Sequence, residues 1–246
     1  DHRELHSFPT RRSSDLAALP RFRVDGVANV DHVLTTQELA AMIRQAGLQF
    51  NELSPESLDL PLGFKTGAGV IFVVTGGGTE AVLRYAAEKA TGVKLASVDF
   101  VEVRGEEGLR ETEIALNGLT LRLAIVHGLA NAKRLIGRIR SGEARYDLIE
   151  VMACPGGCVN GAGQPISHAT ATRRKRTQGL YNADKMAQLH KSQDNPMVRH
   201  CYEAHLDGVG SETAHHLLHR EYSARRRIDG LPLPLMGAAP QERLTV

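Results

Sequence analysis

The stretch Cys154-Pro155-Gly156-Gly157-Cys158 limits the fold of this chain more than any other. A proline and two glycines between the thiols exclude a helix there, since proline lacks an amide donor and glycine is costly to order. The preceding Asp147-Leu148-Ile149-Glu150-Val151 reads as a short buried strand. The loop therefore leaves a strand end, where open α/β sheets place ligands. Its glycines permit a tight turn and free amide N–H groups to point at whatever lies against it. Thiolates are the soft ligands that iron–sulfur clusters need, and nearby N–H groups tune such clusters. Spacing alone also fits a structural pair, a redox pair or half of a zinc site. No second Cys-x-x-Cys completes a zinc set, and a chain with 3 cysteines and no secretory signal argues against a disulfide.

A second informative stretch runs from Thr66 to Ala81. Its apolar run through Val70, Ile71, Phe72, Val73 and Val74 predicts a strand, followed by a turn at Gly76-Gly77-Gly78 and a helix from Thr79 to about Lys89. A glycine turn opening a helix offers amide N–H groups and the helix dipole to an anion. A phosphate site would be the generic reading, but the P-loop lysine is missing and the Rossmann spacing does not fit.

The remaining chain predicts alternating strands and helices. Asp31 to Leu34 reads as a brief strand, and Thr35 with Glu38 forms a capping box for an amphipathic helix that Gly47 ends. Val98 to Val103 alternates like a half-buried strand. Arg110 to Leu116 and Leu119 to Val126 meet at Asn117-Gly118, a strong hairpin signal. A helix follows from Gly128 to about Arg140, with Leu129, Ala132, Leu135 and Ile136 on one face. Ala169 to His190 is basic and polar, and Arg173-Arg174-Lys175-Arg176 reads as a solvated helix face. Asn195-Pro196 and Ser211 open two further helices; Cys201 reads as a small buried hydrophobe, and His215 and His219 as packing or capping residues. The fold class expected is α/β: a lobe with a small mixed, mostly parallel sheet flanked by helices, followed by C-terminal helices.

Composition narrows the function classes. The 246 residues, 42% of them hydrophobic, suffice for one large or two modest domains. Lys and Arg number 30 against 28 acidic residues, a net charge of +2, so no basic excess argues for nucleic acid. No apolar run approaches the ~20 residues needed to span a bilayer. A cytoplasmic location is the expectation.

The run Met152-Ala-Cys154-Pro-Gly156-Gly157-Cys158-x-x-Gly161-x-Gly163-Gln164-Pro165 closely resembles the last cluster-binding signature of the iron-only (FeFe) hydrogenases. The resemblance implies that Cys154 ligates a 4Fe–4S cluster and that Cys158 joins that cluster to a di-iron subsite, together the H-cluster. Met152 would pack beside the di-iron unit, and Gly156, Gly157 and Gln164 would contribute to cofactor binding. The family also carries Ile-Phe-Gly-x-Thr-Gly-Gly against the di-iron subsite, matched here by Phe72 and Thr75-Gly76-Gly77, with Val73 in place of a glycine. Further matches are Val33-Leu-Thr-Thr-x-Glu38-Leu, Leu180-Tyr181-x-x-Asp184, Asn195-Pro196 and the stretch from Ala214 to Tyr222.

The resemblance spans about residue 20 to 228. It implies reversible oxidation of H2 and reduction of protons, with a ferredoxin or an NAD(P)H-linked subunit as electron partner. The family's other two cluster cysteines, its lysine-containing signature and its proton-passing cysteine lie upstream of the matched region, so this chain alone is expected to be inactive. Two related readings stay open: a hydrogenase-like iron–sulfur assembly protein and a non-catalytic H2 sensor. The stretch from His6 to Leu16 is what a widely used sequencing adapter gives when translated, so residues 1–16 are expected to be non-native and disordered. The expected division is then residues 17–168 as the α/β lobe, 169–228 as a helical segment of the same domain, and 229–246 as a linker.

Overall fold

The computed structural model describes residues 22–56, 59–60, 62–94, 99–116, 118–167 and 169–219. The adapter-like start, the expected linker, Asn117 and Tyr222 lie outside the described residues.

The sheet that carries the site is built by β3 (Leu109–Leu116), β4 (Leu119–His127) and β5 (Leu148–Met152), in the order β3-β4-β5. β3 and β4 pair antiparallel and β4 and β5 pair parallel, so the sheet is mixed as expected, with its two pairings divided evenly. A parallel return needs a crossover, and α4 (Leu129–Arg140) supplies it. A small antiparallel pair, β1 (Arg23–Val24) with β2 (Val27–Ala28), stands apart near the start. α1 (Thr36–Gln45) carries the expected capping box, with Thr35 Oγ1 accepting from the Glu38 amide and the Glu38 carboxylate accepting from the Thr35 amide.

Register gives the two sheet faces different tasks. Ile114, Leu123, Ile125 and the partly buried Leu148 face α3 (Gly77–Thr91) and pack with Leu83, Ala87, Phe100 and Val103. The opposite face, with Ala124 and Val126, packs on Ala132 and Leu135 of α4. Leu129 and Ile136, expected on that same buried stripe, are instead largely exposed, so α4 contacts the sheet along a narrower seam. Along the α3-facing side the residues change character toward the C-terminal ends of β4 and β5. Leu148 gives way to Glu150 and Met152, and Ile125 to His127.

Three strand expectations fail. The run at Val70–Val74 is not a strand: α2 (Gly67–Ile71) is a short helix, capped by Thr66 Oγ1 accepting from the Gly69 amide, and a turn follows it. Ile71 and Val74 are both buried three positions apart, packing with Val159 and Tyr181. Long-range backbone bonds from Gly67 to Leu189 and from Ala68 to His190 override the β preference of the run. Residues Val101–Val103 form a 3-10 turn, since Phe100 and Val103 are buried three apart while Val101 is exposed. Asp31 to Leu34 has no regular structure, and Val33 and Leu34 lie exposed.

The C-terminal part is helical: α5 (Thr170–Lys185), α6 (Pro196–His205) and α7 (Glu212–Leu218). Asn195 and Ser211 cap α6 and α7 through their side chains, as their sequence positions predict. Cys201 is half-buried, and the His215 and His219 rings pack at 4.3 Å between centroids. A buried charge network joins α3 to α5: Arg84 donates to both Asp184 oxygens at 2.9 and 2.7 Å, and to Glu80. Among the described residues no helix is long and apolar enough to cross a membrane.

Candidate functional site

β5 ends at Met152, and the loop that follows turns at Gly156 and Gly157, whose φ values are 82° and 89°. Only glycine adopts such angles cheaply. Gly157 is also hemmed in: a Cβ there would lie 2.6 Å from the Val73 carbonyl oxygen and 2.8 Å from Met152 Sδ. Gly157 pairs with Val74 in an isolated antiparallel bridge. The Cys158 amide donates to Val73 O at 2.8 Å, and the Thr75 amide donates to Gly156 O at 3.2 Å. The two glycine turns singled out from sequence, 75–77 and 156–157, are thereby strapped edge to edge.

Met152, Thr75, Gly156, Gly157 and Cys158 converge at this junction, with Gly76 and Gly77 opening α3 immediately behind it. Phe72 sits over Gly78 on the same side. Val73 packs its side chain into the Ile71, Val74, Val159 and Tyr181 cluster. Gln164 is turned elsewhere: its Nε2 donates to Thr36 Oγ1 at 3.3 Å, tying the loop's exit to the start of α1.

Cys154 is half-buried and Cys158 exposed, and neither is in a disulfide. Although the Cys158 residue as a whole is exposed, desolvation by the surrounding protein, with Cys154 adding to it, pushes its thiol up. Among the described residues, the side chains that converge as a potential metal group are Glu80, Asp99 and Asp184, and those acids pair with Arg84 and Arg104. That group is a salt-bridge network.

The amides at the start of α3 are taken from within the protein. Gly76 donates to Glu150 Oε1 at 2.6 Å, and the Thr79 amide and hydroxyl donate to Oε2 at 2.7 and 2.9 Å. Buried Arg110 donates to Thr75 Oγ1 and Val103 O, both at 3.2 Å, holding the turn from its other side. Burial pushes the Arg110 guanidinium down, while Glu150 acts against that shift. Neither residue was singled out from sequence. The signal was present in the strand period, which puts Glu150 on one face with Leu148 and Met152.

The basic run on α5 is only partly a solvated face. Arg176 donates to Val159 O at 2.9 Å and Pro165 O at 2.7 Å, clamping the loop's exit. The Arg173 stem lies against Gly156, and Arg174 pairs with Glu106. Lys175 remains exposed.

Residues 17–162 match the family model described as the iron only hydrogenase large subunit, C-terminal domain, and residues 170–225 match that of the iron hydrogenase small subunit. The chain belongs to the iron-only hydrogenase family. It is 44% identical to the NADP-reducing hydrogenase subunit HndD of Solidesulfovibrio fructosivorans, over 86% of this chain and 36% of that protein. It is 32% identical to cytosolic iron-sulfur assembly component 3 of Rattus norvegicus, over 82% of this chain and 43% of that protein. Among solved structures, the FeFe-hydrogenase HydA1 of Chlamydomonas reinhardtii matches with a TM-score of 0.66 and 38% identity, over 86% of this chain and 60% of the other. The chain therefore spans only part of the iron-only hydrogenases it resembles.

Proposed function

We propose that this chain is part of an iron-only hydrogenase that interconverts H2 with protons and electrons, and that Cys154 and Cys158 hold the iron. The observation that carries the reading is the strapping of the two-thiol loop to the Thr75-Gly76-Gly77 turn. The residues fit the group: two thiols outside any disulfide stand on a loop whose glycine leaves no room for a Cβ, with the Met152 thioether against it. Cys154 would ligate the 4Fe–4S cluster and Cys158 would join it to the di-iron subsite, with Met152, Phe72, Thr75, Gly76 and Gly77 lining the pocket. When bound, the cofactor supplies the redox chemistry and the open metal position for H2.

The protein's own part is ligation, orientation and exclusion of water. Bound iron would offset the raised proton affinity of Cys158, since a coordinating thiol is deprotonated. Arg176 and the Val73–Cys158 bond keep the loop from splaying. The remaining cluster ligands and the proton-passing cysteine come, on the resemblance, from signatures upstream of the matched region. Similarity to an NADP-reducing hydrogenase subunit favours an electron partner linked to NAD(P)H, with a ferredoxin as the other candidate. Residues 17–168 and 169–228 then act as one catalytic unit.

A second reading is an iron–sulfur assembly protein, favoured by the 32% identity to the assembly component. The test is anaerobic loading of the full-length parent with iron, sulfide and the di-iron unit. The hydrogenase reading expects H2 evolution and infrared bands of iron-bound carbonyl and cyanide. A 4Fe–4S signal with neither of these supports the assembly reading instead. The isolated chain is expected to hold no stable cluster, and an intact cubane spectrum from it would contradict that expectation.

A further inference from the structure

We infer that Glu150 is a positioning residue, a carboxylate strut that sets the Thr75-Gly76-Gly77 turn against the Cys154–Cys158 loop. Three observations carry this. First, both carboxylate oxygens are engaged, with donors at 2.6, 2.7 and 2.9 Å, all from the start of α3. Those donors include amides that a helix leaves without an internal partner. Second, a helix normally caps itself through the residue before its first turn, but Gly76 has no side chain and makes no such cap. The cap therefore comes from a residue more than 70 positions away in sequence. Third, Glu150 stands on β5 two residues before Met152 and four before Cys154. A strand paired along its length to β4 is a stiff mount, so one carboxylate ties the position of the turn to the origin of the thiol loop.

Other links between the turns are backbone bonds at 2.8 and 3.2 Å and the Val74–Gly157 bridge. Arg110 steadies the opposite side of the turn through Thr75 and Val103, but its mount is β3, two strands away from the loop. Among these contacts, Glu150 alone connects the strand that delivers the thiols to the helix that opens at the turn. The inference rests on the cluster-site reading only for its consequence, the spacing of the pocket walls around iron.

The test is amide hydrogen exchange on the full chain without metal, so that its failure is separate from any failure to bind iron. Glu150→Gln replaces one acceptor oxygen by a donor facing the same amides. It is expected to speed exchange of the Thr75 and Cys158 amides by about 10-fold, and to leave amides of the Leu109–Leu116 and Leu119–His127 hairpin unchanged. Thr79→Val, which removes one of the three bonds, is expected to give a rise of about 3-fold at the same amides and covers the case in which Glu150→Gln does not fold. Thr79→Ser restores the hydroxyl and is expected to restore the slow exchange. Unchanged exchange at Thr75 and Cys158 in the valine variant, or acceleration spread equally over the hairpin, would overturn the inference.

Discussion

The two glycine turns that meet at the site share a backbone angle, since φ is 89° at both Gly76 and Gly157, yet they have opposite chemistry. At the first, the polar groups are satisfied from within: Glu150 takes the amides of Gly76 and Thr79, and Arg110 supports Thr75. At the second, the backbone is pinned but the side chains are two thiols outside any disulfide, one of them exposed. A finished turn abuts an unfinished one. A glycine turn that opens a helix can have its amides engaged by a carboxylate of the same chain, making a rigid wall, while ligand capacity resides in the neighbouring loop.

The comparison can be broken by filling each turn. Gly76→Ala would drive a Cβ into the Val103 carbonyl at a left-handed backbone angle. Loss of about 3 kcal/mol or more, or failure to fold, is expected from urea unfolding. Gly157→Ala meets the Val73 carbonyl at 2.6 Å, on a loop rather than at the start of a 15-residue helix. About 1–3 kcal/mol is expected there, with any cluster binding lost before the fold is. Equal costs at the two positions would remove the distinction between wall and ligand loop.

The wall can also be loosened from behind. Arg84 and Asp184 are buried and bonded to each other, so Asp184→Asn is expected to cost about 3 kcal/mol by taking away the carboxylate that engages both ends of the guanidinium and leaving Glu80 to balance it. Burial pushes the Asp184 carboxyl up, but the bonds and charge of Arg84, with His190, outweigh it and hold it below the usual aspartate range. A depressed folded value means that this stability is present at neutral pH and disappears as pH falls through that value. Acid unfolding monitored by circular dichroism should therefore begin at higher pH in the asparagine variant only if other carboxylates carry the wild-type transition; a shallower acid dependence is the expected result.

The smallest effect is expected at the far end of the loop. Thr35→Ala removes the capping box of α1 and should cost about 1 kcal/mol, without changing Cys158 amide exchange. A change at Cys158 would mean that the loop is held from its Gln37 and Gln164 contacts more than from Glu150.

What could be read from sequence follows the same division. The Leu109–His127 hairpin, α4, β5 and the thiol loop were legible, because bounded apolar runs, an Asn-Gly turn and proline with glycine each leave few backbone choices. The run from Val70 to Val74 was not, because five apolar residues look alike in strand and helix until Ile71 and Val74 are seen to share one cluster. Glu150 hid in plain view as one charged residue in an otherwise apolar strand. Its three donors come from more than 70 positions away, a distance that no local pattern reports.

The central claim, that Cys154 and Cys158 are iron ligands, is tested most directly by iron and sulfide content with Mössbauer spectra of the full-length parent loaded anaerobically. The account predicts a 4Fe–4S cluster in the unaltered protein and its loss in both Cys154→Ser and Cys158→Ser, with Cys201→Ser unaffected. An intact cluster in both loop variants would contradict it.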